Sequence, residues 1–481
     1  MFSGLDLVIP AGQRVLLAGP SGAGKSSLLR AIAGLLLTAG SGELSGSVRV
    51  GTRGTGGGRA GCVGLLLQDP LAGLVADTVG RDVAFGLENS RVPRHAIWPR
   101  VQDALRDAAF PYPVDHPTAA LSGGETQRLA LAGSLAFGGE VMLLDEPTSM
   151  LDPAAAASVR DAVRRAAADR SRTTVIVEHR LEPWLDFADR LLVLDADGSL
   201  VADGEPRRVL DAHGPWLASR GVWVPGQGPP RPLGVGSRLV EPYAAADGAL
   251  VRADRLRKEL PAPAPAHRSR ERAARTVAVD GVSTSVDAGQ ALGVIGDNGA
   301  GKSTLVSLLA GLARPTAGHV TAPALGGRQG DLFRWPSRAL TARVSWVPQL
   351  PEHGVVASTV LDEVIASGRA CGRPPAWLAS RADDLLEQLG LSQLRESSPY
   401  HLSGGEQRRL MLAASLVHGP NVVVLDEPTV GQDSLTWAAV VGVVGAARDA
   451  GCGVALASHD ADAVDAVADG RLRLERGRAT R

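Results

Sequence analysis

Two copies of one short arrangement, 277 residues apart at their lysines, constrain what this chain can fold into. Gly19-Pro20-Ser21-Gly22-Ala23-Gly24-Lys25-Ser26 follows the apolar run Val15-Leu16-Leu17-Ala18 and opens the helix-like run from Ser27 to Ala33. Gly296-Asp297-Asn298-Gly299-Ala300-Gly301-Lys302-Ser303-Thr304 repeats it. A glycine-rich turn between a buried strand and a helix N-terminus lets backbone N–H groups close around phosphate oxygens. The lysine then reaches the terminal phosphates, and the hydroxyl of Ser26 or Ser303 can ligate magnesium. The expected ligand is a magnesium nucleotide. Of 50 Lys and Arg residues only Lys25, Lys258 and Lys302 are lysine, and two of these close the loops. A compact ammonium fits inside such a loop where a planar guanidinium does not.

The rest of the chain is duplicated in the same order. The strand Val63 to Leu67 ends at Gln68, and Val347-Pro348 leads to Gln349. Leu121-Ser122-Gly123-Gly124-Glu125 recurs as Leu402-Ser403-Gly404-Gly405-Glu406. The apolar strands ending in Asp145-Glu146 and Asp426-Glu427 are each followed by Pro-Thr, and later strands end at His179 and His459. An internal repeat of this length predicts two homologous domains. They are expected over 1–215 and 246–481, joined by a Gly/Pro-rich linker over 216–245; Pro261 to Ala266 reads as a further loop.

The repeated polar residues suggest roles. An aspartate ending an apolar strand beside a phosphate loop needs a cation, so Asp145 and Asp426, with Ser26, Ser303, Gln68 and Gln349, are the expected magnesium ligands. Glu146 and Glu427 are placed to orient or deprotonate an attacking water. Gln68 and Gln349 would sense metal and γ-phosphate, and His179 and His459 would contact the γ-phosphate. The Ser-Gly-Gly turn is a second anion cradle, one more than a lone domain needs. Two halves facing head to tail would use it, each nucleotide lying between the phosphate loop of one half and the Ser-Gly-Gly of the other.

Length allows two or three domains, and 44% hydrophobic with 21% charged residues is ordinary for a globular chain. No apolar run reaches the roughly 18–20 residues of a membrane span, and no signal-peptide pattern opens the sequence. Cys62, Cys371 and Cys452 are too scattered for a disulfide framework or a zinc site. A net charge of −1 supplies no basic field for nucleic acid, and no nucleic-acid partner is expected.

Taken together, the phosphate loops, Gln68, LSGGETQR, LLDEP and His179, twice in order, resemble two fused ATP-binding subunits of an ABC transporter. The resemblance implies an α/β fold of two tandem RecA-like ABC ATPase domains, each with a helical arm and an antiparallel β subdomain. It also implies hydrolysis of ATP with Mg2+, D-loop roles for Asp152 and Asp433, and nucleotide contacts from Ser27 and Thr304 beside the loops. Thr78 to Asn89 and Val175 to Leu181 are similar to energy-coupling-factor ATPases of the vitamin and cobalt type. That likeness implies integral membrane transport subunits as partners and a place on the cytoplasmic face of the membrane, with Asp82, Asp362 and Glu363 as candidates for pairing with partner arginines. Two other readings share the same residues: the tandem ATPase of a sugar importer, and a soluble ribosome-associated ABC protein. Relatives stack adenine on an aromatic residue upstream of the phosphate loop. Here Phe2 lies too late, and no Phe, Tyr or Trp occurs between Tyr243 and Phe333, leaving His267 or an arginine.

Overall fold

The computed structural model describes residues 4–36, 45–51, 62–68, 73–149, 151–261, 275–325 and 330–480. Phe2, His267 and the Pro/Ala run beyond Pro261 lie outside them. The chain forms two compact units that divide between Gly228 and Pro229.

In the first unit the order is β1 Arg14–Ala18, α1 Lys25–Ala33, β2 Val63–Leu66, α2 Val79–Asn89, α3 Arg94–Asp107, α4 Gly123–Ala136, β3 Val141–Asp145, α5 Pro153–Ala166, β4 Thr173–Val177, β5 Arg190–Leu194, β6 Leu200–Gly204 and α6 Pro206–Ser219. The sheet order is β2-β3-β4-β1-β5-β6, parallel except for β6. Its inner strands read as unbroken apolar runs because both faces are covered. Val15 to Ala18 on β1 and Val175 to Val177 on β4 are all at most 3% exposed. Register then places the polar ends. Val177 lies opposite Leu17 on one side and Asp145 on the other, so the phosphate loop, Asp145 and the turn at His179 leave the sheet at one edge. Ligands of open parallel sheets bind at that carboxyl end.

The second unit repeats this: β7 Ala249–Pro261, β8 Arg275–Asp287, β9 Ala291–Ile295, α7 Lys302–Leu309, β10 Ala317–Thr321, α8 Ser337–Thr341, β11 Val344–Val347, α9 Val360–Ala370, α10 Pro375–Gln388, α11 Gly404–Leu416, β12 Val422–Asp426, α12 Ser434–Asp449, β13 Gly453–Ala457, α13 Ala461–Val467, β14 Gly470–Glu475 and β15 Arg478–Thr480. Its main sheet runs β11-β12-β13-β9-β14-β15, with Ala457 opposite Val294 and Asp426. A separate antiparallel sheet, β10-β7-β8, packs against this core. Among the described residues the first unit shows no counterpart of that sheet.

The helical arms are α2, α3 and α4 in the first unit and α9, α10 and α11 in the second. Val79, Val83, Ala84 and Leu87 form the buried stripe of α2, at the spacing of one helix face. The carboxylates expected to face a partner are engaged within the arms. Asp82 accepts hydrogen bonds from the N–H groups of Val75 and Ala76 at 2.8 and 3.0 Å. Glu363, its counterpart and only 3% exposed, accepts from Val356 and Ala357 at 2.7 Å each. Each closes the loop before its helix. Asp362 pairs with Arg369 at 3.0 Å.

The stretch read as a linker, 216–245, is shared between the units. Trp216 to Ser219 complete α6, and Trp223 pairs with the backbone of His179. From Pro229 onward the chain is a strap on the second unit. Arg381, reaching across 140 residues or more, donates to the carbonyls of Arg238 and Glu241 at 3.0 and 2.8 Å. Asn421 donates to Ala244 at 2.7 Å, and the Tyr243 ring lies 3.7 Å from the Arg373 guanidinium carbon. The N–H of Leu233 bonds to Ala438 of α12 at 2.8 Å. That approach requires a glycine opposite: a Cβ on Gly442 would lie 2.1 Å from the Leu233 carbonyl oxygen, whereas one on Gly445, a turn away, would meet nothing within 4 Å.

Gly442→Ala is therefore expected to destabilise the second unit by about 1–3 kcal/mol through overpacking. Gly445→Ala, gaining only helix propensity, should be neutral or stabilising by up to about 1 kcal/mol. Urea denaturation of the two variants checks the difference; equal stabilities would mean the strap does not sit on α12.

Candidate nucleotide site

In each unit the loop after the central strand closes around its own lysine. Lys25 Nζ donates to the carbonyls of Gly19 and Pro20 at 2.9 and 2.8 Å; Lys302 Nζ donates to Gly296 and Asp297 at 2.7 and 3.3 Å. Both lysines are 6% exposed. Gly24 and Gly301, at φ of 80° and 100°, turn the chain into the helix through the left-handed region that glycine enters without steric cost. Ser21, Gly22, Ala23 and Ser27, and Asn298, Gly299, Ala300 and Thr304, complete the two loops and first helical turns.

The following serine faces the strand-end aspartate. Ser26 Oγ donates to Asp145 Oδ1 at 3.0 Å, and Ser303 Oγ to Asp426 Oδ1 at 2.9 Å. Burial, with help from the neighbouring glutamate, pushes each aspartate up to about 6. A desolvated carboxylate beside a hydroxyl fits a hard divalent cation. Among the described residues no cluster of three or more His, Cys, Asp or Glu side chains could hold a metal unaided. The donor set therefore fits magnesium that keeps phosphate and water oxygens as its other ligands.

Glu146 and Glu427 take a strained backbone, φ of 49° in both, fixed by hydrogen bonds from their N–H groups to Val177 and Ala457. The turn aims both carboxylates at the histidines. His179 Nε2 lies 3.0 Å from Glu146, and His459 Nδ1 lies 3.1 Å from Glu427, whose carboxylate also accepts from the His459 N–H at 3.2 Å. Burial works against ionisation of both glutamates, but His179 in the first unit and His459 in the second, with the loop lysines, outweigh it and hold them below the usual range. Each site thus contains neighbouring carboxyls with affinities for the proton pushed apart, an aspartate up and a glutamate down.

The two copies differ in detail. Gln68 donates to Glu146 at 2.9 Å, whereas Gln349 is exposed and makes no such bond; Lys302 lies 3.3 Å from Glu427. The Ser-Gly-Gly turns open arm helices. Ser122 and Glu125 of α4, like Ser403 and Glu406 of α11, form reciprocal capping boxes, with Gly123, Gly124, Gly404 and Gly405 in the first helical turns. Asp152 and Asp433 cap α5 and α12 through the N–H groups of Ala155 and Thr436, both at 2.8 Å.

Sequence reasoning missed the partners of the threonines after Asp-Glu-Pro. Glu178 accepts from both the N–H and the hydroxyl of Thr148, at 3.0 and 2.6 Å. In the second unit Asp460 receives the Thr429 hydroxyl at 2.9 Å and the Trp437 indole N–H at 2.8 Å. A carboxylate flanks the histidine in both copies, before it in one and after it in the other. That alternation was the available signal.

Burial pushes Glu178 up to about 7, and the nearby Glu146 charge adds to this. A carboxyl raised when folded binds its proton more tightly than in the unfolded chain. Its burial is thus without electrostatic cost below about pH 4.5, and stability falls as pH rises from there through about 7. Glu178→Gln should match the parent near pH 5 and exceed it at pH 8 by about 2–3 kcal/mol in the unfolding of the first unit. Thermal melts of both proteins across this range test it; parallel pH profiles would refute it.

Comparison with known proteins agrees with this geometry. The ABC transporter family profile matches residues 2–149 and 279–430. A Methanosarcina acetivorans protein named as a candidate ABC transporter ATP-binding protein is 32% identical over 90% of this chain and 74% of its own length. A Bacillus subtilis protein named as a candidate HMP/thiamine import ATP-binding protein is 30% identical over 98% of this chain and 86% of its own. Among solved structures, a chain from ribosome-bound archaeal Pelota and ABCE1 superposes with a TM-score of 0.62 at 22% identity, over 97% of this chain and 73% of that one. At that identity it shows the fold alone. The chain belongs to the ABC transporter family, as an ATPase carrying two of the family's ATP-binding domains in tandem.

Proposed function

We propose that this ATPase is the energy-coupling subunit of an importer of the energy-coupling-factor type, for a vitamin or a transition-metal ion. Integral membrane subunits would be its partners at the cytoplasmic face of the membrane. The observation that carries the ATPase half of this reading is the shared register: each unit brings a lysine loop, a Ser–Asp pair and a Glu–His pair to one sheet edge. The import half is supported by the relative named for HMP/thiamine import and by the segments Thr78 to Asn89 and Val175 to Leu181. No helix among the described residues is long and apolar enough to cross a membrane.

With nucleotide bound, Lys25 and Lys302 would exchange loop carbonyls for phosphate oxygens, and Ser26–Asp145 and Ser303–Asp426 would hold magnesium, which neutralises developing phosphate charge. Glu146 and Glu427, kept ionised, would accept a proton from the attacking water, while His179 and His459 hold those carboxylates in place. Ser122 and Ser403, with Asp152 and Asp433, would complete each site from the opposite half in a head-to-tail sandwich. ATP would then favour the closed arrangement and hydrolysis release it.

Replacing Glu146 and Glu427 together by Gln should slow steady-state hydrolysis about a hundredfold or more with ATP affinity retained. Unchanged turnover would remove the base role. Affinity purification from membranes in mild detergent should recover integral membrane subunits with the chain; cosedimentation with ribosomes in the hydrolysis-deficient variant, without membrane partners, would overturn the importer reading.

A further inference from the structure

The second unit carries a cleft of about 1060 Å³ beside its phosphate loop, between Asp297 to Ala300, strand β8 and the β14–β15 hairpin. The turn of that hairpin is bonded to both neighbours. Gly477 donates its N–H to Ala300 of the loop at 3.0 Å and accepts from Asp280 of β8 at 2.8 Å. The cleft thus opens directly beside the phosphate cradle, with room for the base and sugar of a nucleotide whose phosphates lie in the loop. Among the described residues no Phe, Tyr or Trp lines it, and the sequence has none between Tyr243 and Phe333 or after Trp437.

A flat cation stands there instead. Arg478 donates from Nε and Nη2 to Asp280 Oδ2 at 3.0 and 2.8 Å, while Arg257 Nη1 holds the other carboxylate oxygen at 2.6 Å. Asp280 is therefore clamped from both sides and fixes the plane of the Arg478 guanidinium, whose side chain is still 71% exposed. An oriented guanidinium with an open face stacks on an aromatic ring through charge and dispersion. Such stacking uses the face of a base and reads none of its edge groups.

We propose that Arg478, oriented by Asp280, is the platform on which the base of a nucleoside triphosphate at Gly296 to Ser303 stacks, so that this site accepts adenine and guanine nucleotides alike. The proposal rests on the reading that the second phosphate loop holds a nucleotide. Asp280 is a positioning residue, and Arg478 touches the base.

The test uses the full chain with Lys25→Ala, which confines tight binding to the second loop, titrated calorimetrically with the magnesium complexes of AMP-PNP and GMP-PNP. The two dissociation constants should differ by less than tenfold. Adding Arg478→Ala should weaken both by about tenfold, Arg478→Lys, which keeps charge but not the plane, should also weaken both, and inorganic tripolyphosphate should bind as before. A preference of tenfold or more for AMP-PNP, or a loss below threefold in Arg478→Ala, overturns the proposal. Lys302→Ala separates the parent reading: if it leaves AMP-PNP binding intact, the nucleotide is not at this loop and both fall. If it abolishes binding while Arg478→Ala does not weaken it, only the stacking role falls. Melting curves of the Arg478 variants check that this exposed side chain is not needed for folding.

Discussion

Parallel pairing of the central strand with its neighbour is the constraint on which everything else in each unit depends. Strand β4 places Val177 between Leu17 and Asp145, and β13 places Ala457 between Val294 and Asp426. A slip of one residue in either ladder would mismatch the packing on both buried faces and separate the lysine loop from its carboxylates. The all-apolar strands serve catalysis indirectly, because a register fixed by burial on both faces brings side chains from distant parts of the chain into contact in pairs, Ser26 with Asp145 and His179 with Glu146, each at 3.0 Å.

That burial also sets the electrostatics. Asp145 and Asp426 lose hydration and hold their protons more tightly, whereas Glu146 and Glu427, one residue further on, recover the lost solvation from histidine and lysine. The left-handed backbone at each glutamate separates the two environments. In an extended conformation adjacent side chains would point to opposite faces of the sheet. The strained turn keeps both at the same edge.

Much of this was legible in the sequence because repetition marked it. The strand, loop and helix around Lys25, the strand-end aspartates and the histidines all recur, and the fold follows from alternating apolar strands and helices. What stayed hidden depends on partners that local pattern does not disclose. Residues 216–245 read as a linker because Val224 to Pro232 is rich in Gly and Pro, yet the carbonyls of Arg238, Glu241 and Ala244 are held by Arg381 and Asn421, far along the chain. Asp82 and Glu363 read as exposed acids of a helix start, yet each bonds to backbone seven residues earlier. The role of Glu178 was masked for the same reason, since its counterpart Asp460 stands on the other side of the histidine.

The scarcity of lysine has a practical corollary. Lys25 and Lys302 are enclosed by loop carbonyls, and Lys258 alone has its ammonium near the surface, at 2.7 Å from the Arg314 carbonyl. The remaining cationic side chains are guanidinium groups, inert to acylating reagents. Apart from the amino terminus, covalent labelling through amines addresses one side chain on strand β7, so a dye or tether can be installed there without a cysteine and without touching either phosphate loop.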